Sequence, residues 1–283
     1  MEILDGKKVS LNIKEDIKIR IEKDYKLLDK AVPTLACIIV GDNPASQVYV
    51  GSKEKACASV GFNSIVERLS NDATEDEVID VIERLNSKKD VSGILLQLPL
   101  PKKLNERKII SHISPEKDVD GLTEINLGRM FSGNTLVAPC TAQGIIDLLG
   151  YYDIQIEGKN VVVIGRSLLV GKSVSILLQE KNATVTMCHS RTQNLEDIIK
   201  KADILVVAIG KPNFIKEHMV KEGSVIIDVG INRLETGLVG DVDFENVKHK
   251  VSFITPVPGG VGPMTIAELL KNTLILHELN NKI

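Results

Sequence analysis

The chain has 283 residues, 43% of them hydrophobic and 26% charged, and 35 Lys and Arg against 38 Asp and Glu leave a net charge of −3. That balance excludes disordered, collagen-like and coiled-coil chains and speaks against a nucleic acid held by phosphate contacts, while the length suits one large domain or two ordinary ones. Cys37, Cys57, Cys140 and Cys188 form no CxxC pair and the five histidines show no ligand spacing, so neither a disulfide framework nor a metal site is expected.

The opening MEILDGKKVSLNIKEDIKIR lacks the basic start and apolar core of a signal peptide, and Asp5, Glu15 and Asp16 disfavour a transit peptide. No apolar run approaches the ~20 residues of a membrane span. A cytoplasmic protein without a membrane partner is the expectation. Residues 7–29 carry Val9, Leu11, Ile13, Ile17, Ile21 and Leu28 among charges, the pattern of a surface helix with one buried stripe, ended by Pro33. TLACIIV (34–40) then reads as a buried strand, 45–59 as a helix and NSIVERL (63–69) as a second strand. Asp72 or Thr74 caps a helix over 75–88, and SGILLQL (92–98) is another buried run. Apolar strands alternating with amphipathic helices imply a parallel sheet covered on both faces.

Residues 104–150 read as mostly helical, with breaks at Pro115, Gly121, Gly133 and Pro139. A second alternating series follows: NVVVIG (160–165), ATVTMC (183–188), DILVVAIG (203–210) and SVIIDVG (224–230) are strands, separated by helical stretches near 170–180, 194–201 and 215–220. This grammar is that of a Rossmann-type sheet. The segment 252–265 is a Pro- and Gly-rich loop, and 266–281 is amphipathic again.

The nucleotide signal is VVVIGRSLLVGKS, a buried strand ending at Gly165 with Arg166 and Ser167 in the turn and Gly171 opening a helix. Glycines there let backbone approach a pyrophosphate, and helix N–H groups point at its charge. The spacing is not GxGxxG, so an ordinary tight turn is the competing reading. At the end of the next strand, where an acidic residue would bind the ribose hydroxyl of NAD, stands His189-Ser190-Arg191-Thr192. Arg191, the hydroxyls and Arg166 suit a 2′-phosphate, which favours NADP. His189 reads as a structural residue beside that turn, and His112, His218, His249 and His277 as surface residues.

In the first half, Tyr49 and Lys53 are spaced i,i+4 and share one helix face. A lysine beside a ring in a partly dry cleft is usable as an acid or base, although Lys53-Glu54-Lys55 also reads as a solvated charge run. Gln97, followed by Leu98, Pro99 and Pro101, ends a buried strand, where open sheets bind ligands. Asp118 and Asp120 lie in a turn before a helix, and either is a candidate N-cap. No GxSxG, HExxH or Walker A sequence supports a hydrolase of those types or a kinase.

Taken in order, VGDNPASQVYVGSKEKA, GILLQLPLP, PEKDVDGLT, PCTAQG, VVVIGRSLLVGKS, ATVTMCHSRT, DILVVAIGKP, VIIDVGIN and ITPVPGGVGPMT resemble the successive signature blocks of the bifunctional methylenetetrahydrofolate dehydrogenase/methenyltetrahydrofolate cyclohydrolase family, from about residue 40 to 265. The resemblance implies an α/β fold of two domains: an N-terminal catalytic domain (1–120 plus 264–283) and a Rossmann-type NADP-binding domain (121–263), with the C-terminal helix packing back on the first and the folate cleft between them. It implies a homodimer, NADP as cofactor, tetrahydrofolate one-carbon derivatives as substrates, and a place in one-carbon metabolism and purine biosynthesis. Lys53 matches the family's catalytic lysine, Tyr49 the ring stacked on folate, Gln97 the amide that tunes the lysine, and Asp120 the carboxylate gripping the pterin. Leu98 and Pro99 stand beside that site, and Pro258, Gly259 and Gly260 match the loop closing over the pterin. Gly165, Arg166, Ser167, Gly171, Ser190 and Arg191 match the cofactor contacts, and Thr141 and Ile231 line the nicotinamide. One departure is Ser173, where the family has proline. Loss of that preorganising ring implies slightly looser cofactor affinity.

Three alternatives stand beside this reading. A dehydrogenase-only member of the family would have lost part of the Lys53, Gln97 and Asp120 set. A regulator without turnover would have lost the lysine or the cofactor loop, and a dehydrogenase of amino or keto acids would leave QLPLP and KDVDG without a role.

Overall fold

Strands and helices alternate along most of the chain, as its apolar runs and charged amphipathic stretches dictate. The computed structural model describes residues 1–235 and 237–281. In chain order the elements are β1 (Glu2–Ile3), α1 (Gly6–Asp24), β2 (Thr34–Val40), α2 (Pro44–Val60), β3 (Asn63–Leu69), α3 (Glu75–Ser87), β4 (Gly93–Leu96), α4 (Glu106–Ile110), α5 (Glu124–Phe131) and α6 (Cys140–Tyr151). There follow β5 (Asn160–Ile164), α7 (Ser173–Glu180), β6 (Thr184–Cys188), α8 (Leu195–Ile199), β7 (Ile204–Val207), β8 (Val225–Asp228), β9 (Asn232–Leu234), β10 (Gly237–Val239), α9 (Phe244–Val247), β11 (Phe253–Ile254) and α10 (Val261–Asn281). They form two compact units, Asn12–Ala138 with the chain from Leu269 on, and Met1–Leu11 with Pro139–Glu268.

The unit containing β2 has a parallel sheet of order β3-β2-β4. All seven residues of β2 are buried, as its unbroken apolar run requires of a central parallel strand. Ile38, Val40, Ile94 and Leu96 pack with Val78, Ile82 and Leu85 of α3. Thr74, rather than Asp72, caps α3: its hydroxyl accepts from the Glu77 amide at 3.2 Å and its own amide donates to Glu77 Oε2 at 2.7 Å. The later part of α10 joins this unit as expected, for Asn272 Nδ2 donates to the carbonyls of Val119 at 2.9 Å and Ala138 at 3.1 Å. His277, expected on the surface, is 5% exposed. Ser92 Oγ lies 2.8 Å from its Nδ1 and its ring lies beside Tyr25, which turn it inward, and burial lowers its pKa. Leu11 and Leu28 of the expected stripe are exposed while Val9, Ile17 and Ile21 are buried. Leu11 stands about 200° around the helix from Val9, and Leu28 lies beyond the helix end in a 3₁₀ turn.

The other unit is a six-stranded parallel sheet of order β1-β11-β8-β7-β5-β6. β5 lies between β6 and β7, so the direction in which strands are added reverses beside it, the point at which open α/β sheets bind ligands. Val162, Ile164, Leu205, Val207, Ile226 and Ile254 form one face of its core. Two placements differ from the boundaries drawn on the sequence. The first residues extend this sheet, with the Glu2 and Leu4 amides donating to Ser252 and Ile254 carbonyls at 2.7 and 2.9 Å. Residues 121–138 belong with the β2 unit, where Asn126 Nδ2 of α5 donates to the Pro115 carbonyl at 2.9 Å and Asp118 Oδ2 at 3.0 Å. The short β1 and β11, and the antiparallel hairpin of β9 and β10, were not expected from periodicity. The helical stretch expected near 215–220 is one 3₁₀ turn, Glu217–Met219.

Asp228, the last residue of β8, is buried and its carboxylate accepts from the amides of Gly230 and Asp241 at 3.0 Å each and Val242 at 2.9 Å. Burial outweighs those bonds, Asp241 adds repulsion, and the acid is pushed from 3.8 up to about 6. The native state therefore binds this proton more readily than the unfolded chain. Its contribution to stability is complete near pH 4 and is lost as pH rises through 6. In Asp228→Asn that component should vanish. Urea unfolding of both proteins from pH 4 to 7 should show the wild type's advantage shrinking with pH by up to about 3 kcal/mol, and a pH-independent difference would contradict the assignment.

Candidate active site

Two groups of the residues singled out in the sequence converge, one in each unit. In the β2 unit, α2 follows β2 and carries Tyr49, 44% exposed, and the half-buried Lys53 one turn later. Beyond β4 the amide of Gln97 continues the sheet by donating to the Ile38 carbonyl at 2.8 Å, which leaves its side chain at the carboxyl end of the strands, 9% exposed. Gln97 Nε2 donates to the Leu98 carbonyl at 2.6 Å, so Oε1 is the end turned to the lysine, accepting from Lys53 Nζ at 2.9 Å. A cis bond joins Leu98 to Pro99.

The turn before α5 separates its two carboxylates. Asp118 is the structural one, 1% exposed, accepting from the amides of Leu122 at 3.1 Å and Thr123 at 2.8 Å and from Asn126 Nδ2. Thr123, not an aspartate, is the N-cap of α5. Asp120 is half-buried on the same turn, whose Val119 carbonyl is held by Asn272. Cys37 of β2 reports what surrounds it: burial pushes its thiol up to about 12, Lys53 opposes that rise, and Asp120 and Glu54 add to it. Both Lys53 and Asp120 are thus within electrostatic reach of one point in β2. An amine held by an uncharged amide, with a carboxylate on the same unit, can transfer protons and bind a polar ligand. Asn272 was missed from sequence, since nothing in an amphipathic helix marks the one amide that bonds a distant turn.

In the other unit, a cavity of about 280 Å³ lies at the carboxyl ends of β5, β6 and β7, lined among others by Gly165, Arg166, His189, Ser190, Ile209 and Lys211. Gly165 has φ +125°, and a Cβ there would lie 2.3 Å from the Ala208 carbonyl oxygen. A Cβ on Gly171 would lie 2.2 Å from the carbonyl oxygen of Gly165, so only glycine lets this turn fold so closely on itself. The strand-to-helix passage is a π-helical turn, Leu168–Lys172. Ser173 occupies the family's proline position with both its hydrogen-bonding groups in use. Its hydroxyl donates to the Leu168 carbonyl at 2.6 Å and its amide to the Val170 carbonyl. Proline could make neither bond, so the serine constrains the turn by a different means. The β6 turn is also built from side chains. Thr192 Oγ1 accepts from the His189 amide at 2.8 Å, and His189 Nδ1 from the Arg191 amide at 3.1 Å. Arg166, Ser167, Ser190 and Arg191 are exposed there. Ser167, Gly171 and Arg191 are not among the residues lining the cavity, whereas Lys211, which sequence reasoning missed, is.

Elsewhere in this unit Thr141 Oγ1 lies 3.1 Å from Thr265 Oγ1, and Ile231 is half-exposed before the hairpin. The Pro258–Gly260 loop has a cis bond before Pro258, and Gly259, at φ +107°, accepts from the Lys7 amide at 3.0 Å. Among the described residues no His, Cys, Asp and Glu group could hold a metal ion, and no helix is long and apolar enough to cross a membrane.

The sheet order, the glycine turn and the cavity at the switch point define a two-unit α/β protein, one unit built on a dinucleotide-type sheet and the other bearing the lysine. Residues 4–120 match the family described as tetrahydrofolate dehydrogenase/cyclohydrolase, catalytic domain, and residues 139–281 its NAD(P)-binding domain. The chain belongs to the tetrahydrofolate dehydrogenase/cyclohydrolase family. It is 58% identical over 276 residues to the bifunctional protein FolD of Campylobacter hominis, covering 97% of this chain and 96% of that protein. Among solved structures, bifunctional FolD of Campylobacter jejuni is 46% identical with TM-score 0.96 and full coverage of both chains. The Trypanosoma brucei enzyme, solved with NADP and an inhibitor, is 36% identical with TM-score 0.95, covering 99% of this chain and 98% of that one.

Proposed function

We propose that this protein oxidises 5,10-methylenetetrahydrofolate to 5,10-methenyltetrahydrofolate with NADP and hydrolyses the product to 10-formyltetrahydrofolate. The observation that carries the second activity is the Lys53–Gln97 bond, present with its amide orientation set by Leu98. A dehydrogenase-only protein would have no need of it. The close-folded Gly165 and Gly171 backbone suits a pyrophosphate, and a strand end bearing Ser190 and Arg191 in place of a carboxylate suits the 2′-phosphate of NADP.

When bound, NADP supplies the hydride acceptor for the first step. The chain's contribution to that step is alignment, because the cation left on the one-carbon bridge is stabilised by the substrate's own two nitrogens. Arg166, Ser167, Ser190 and Arg191 hold phosphate, and Thr141 and Ile231 line the nicotinamide. On the folate side, the Tyr49 ring stacks on the substrate, Leu98 and Pro99 flank it, and Asp120 accepts from the pterin ring N–H and amino group.

In the second step the Lys53 amine takes a proton from the water that attacks the methenyl carbon and returns it to the nitrogen that leaves as the ring opens, while the remaining hydroxyl proton is released to solvent as the formyl C=O forms. Gln97 holds that amine through a neutral oxygen, so no extra charge faces the cationic substrate. The same reading makes the protein a cytoplasmic homodimer acting in one-carbon metabolism and purine biosynthesis.

Lys53→Met should abolish decay of the methenyl absorbance while leaving NADP binding intact, and normal turnover by that variant would sink the lysine's assignment. Arg191→Ala should lower the ratio of kcat/KM with NADP to that with NAD. The loss of one charge-assisted phosphate contact predicts a fall of roughly ten- to a hundredfold, and an unchanged ratio would place the discrimination on Arg166 or the hydroxyls.

A further inference from the structure

We propose that Asp241 is a positioning residue for cofactor binding, fixing the backbone of residues 209–211 and thereby the shape of the cavity beyond β7. The proposal rests on the reading of that cavity as the NADP site. Asp241 follows β10 and is fully buried. Its Oδ2 accepts from the amides of Ile209 at 2.7 Å and Gly210 at 2.9 Å, and its Oδ1 from the Lys211 amide at 2.8 Å and Asn232 Nδ2 at 2.9 Å. Four donors converge on two oxygens, an arrangement that an ionised carboxylate satisfies and an amide side chain cannot.

The protein is built to hold the group there. A Cβ on Gly230 would lie 2.3 Å from Asp241 Cγ and Oδ1, so that glycine leaves the carboxylate its space. The Asp241 amide is itself fixed by Asp228 Oδ1. Three successive amides can point at one carboxylate because Gly210 adopts φ +63°.

The loop so fixed is part of the cavity wall. Ala208, Ile209, Lys211 and Phe214 line the cavity together with residues of the glycine turn and the β6 turn, and the Lys211 ammonium stands 5.6 Å from the centre of the Phe214 ring. At the carboxyl end of a parallel strand such amides are usually the groups available to a ligand. Here they are committed to Asp241, so this wall acts through its shape and through Lys211. Without the carboxylate the three amides lose their common acceptor and the wall loses its fixed form.

The test is direct calorimetric measurement of NADP affinity for the full-length wild type and Asp241→Asn, with dehydrogenase kinetics and methenyl hydrolysis in the absence of NADP. The variant should bind NADP roughly ten- to a hundredfold more weakly, as expected for loss of bonds to a charged acceptor. Its kcat at saturating NADP and its methenyl hydrolysis should be unchanged. Unaltered affinity, or a loss of kcat at unaltered affinity, would overturn the proposal. Should that variant fail to fold, Gly210→Ala serves instead. An added Cβ there meets no atom within 4 Å, so the change acts only through the positive φ, and it too should weaken NADP binding. Unaltered affinity in that variant would likewise overturn the proposal. Wild-type protein that binds no NADP would overturn the reading of the cavity and the proposal with it, whereas normal wild-type binding with unaffected variants would overturn the proposal alone.

Discussion

A lysine amine held at 2.9 Å by an uncharged amide is the interaction on which the chemistry proposed for the β2 unit depends. The geometry is produced at two levels. The parallel sheet brings the carboxyl end of β4 beside α2, although Lys53 and Gln97 are 44 residues apart. The Leu98 carbonyl then takes the amide nitrogen, leaving the oxygen for the lysine. A carboxylate in place of Gln97 would bring a negative charge to the amine, whereas the amide holds it through a neutral oxygen. In the proposed mechanism that neutrality matters, because the substrate of the second step is a cation.

The dinucleotide-type unit uses a different device: its fixed points are carboxylates, hydroxyls and an imidazole that bond backbone amides or carbonyls. Asp241 gathers the turn beyond β7, Asp228 holds Asp241, Thr192 and His189 shape the turn beyond β6, and Ser173 ties the helix after the glycine turn. Each is a side chain bonding the backbone of a loop at the ligand end of the sheet, where loops must keep a shape without strand partners. A proline at position 173, as the resemblance implied, would restrict the backbone covalently. The serine here restricts it through two hydrogen bonds.

Much of this was legible in the sequence where the signal is continuous. TLACIIV and NSIVERL become β2 and β3 residue for residue, because a buried parallel strand writes itself as one apolar run and a β-branched edge strand nearly so. Tyr49 and Lys53 on one turn and the glycine loop after β5 could be read the same way. What could not be read were contacts that only the fold creates. β1 and β11 have two residues each, too few for any period to register. Asp118 and Asp120 are alike in sequence, and it is the fold that brings the amides of 122 and 123 and the Asn126 side chain to the structural one. Asp241 lies in GDVDF, where an acidic residue looks solvated, and the three backbone amides it gathers are 30 to 32 residues away. The folate substrate came from family resemblance, because a lysine, an amide and a carboxylate do not by themselves specify a pterin.

Together the two units give one protein both a hydride-transfer and a hydrolytic activity. The most direct test follows absorbance of the purified wild-type protein, first with 5,10-methylenetetrahydrofolate and NADP and then with the methenyl compound alone. Reduction of NADP together with enzyme-dependent decay of the methenyl band is the predicted result. Cofactor reduction without that decay would contradict the account of Lys53 and Gln97 and leave a dehydrogenase only.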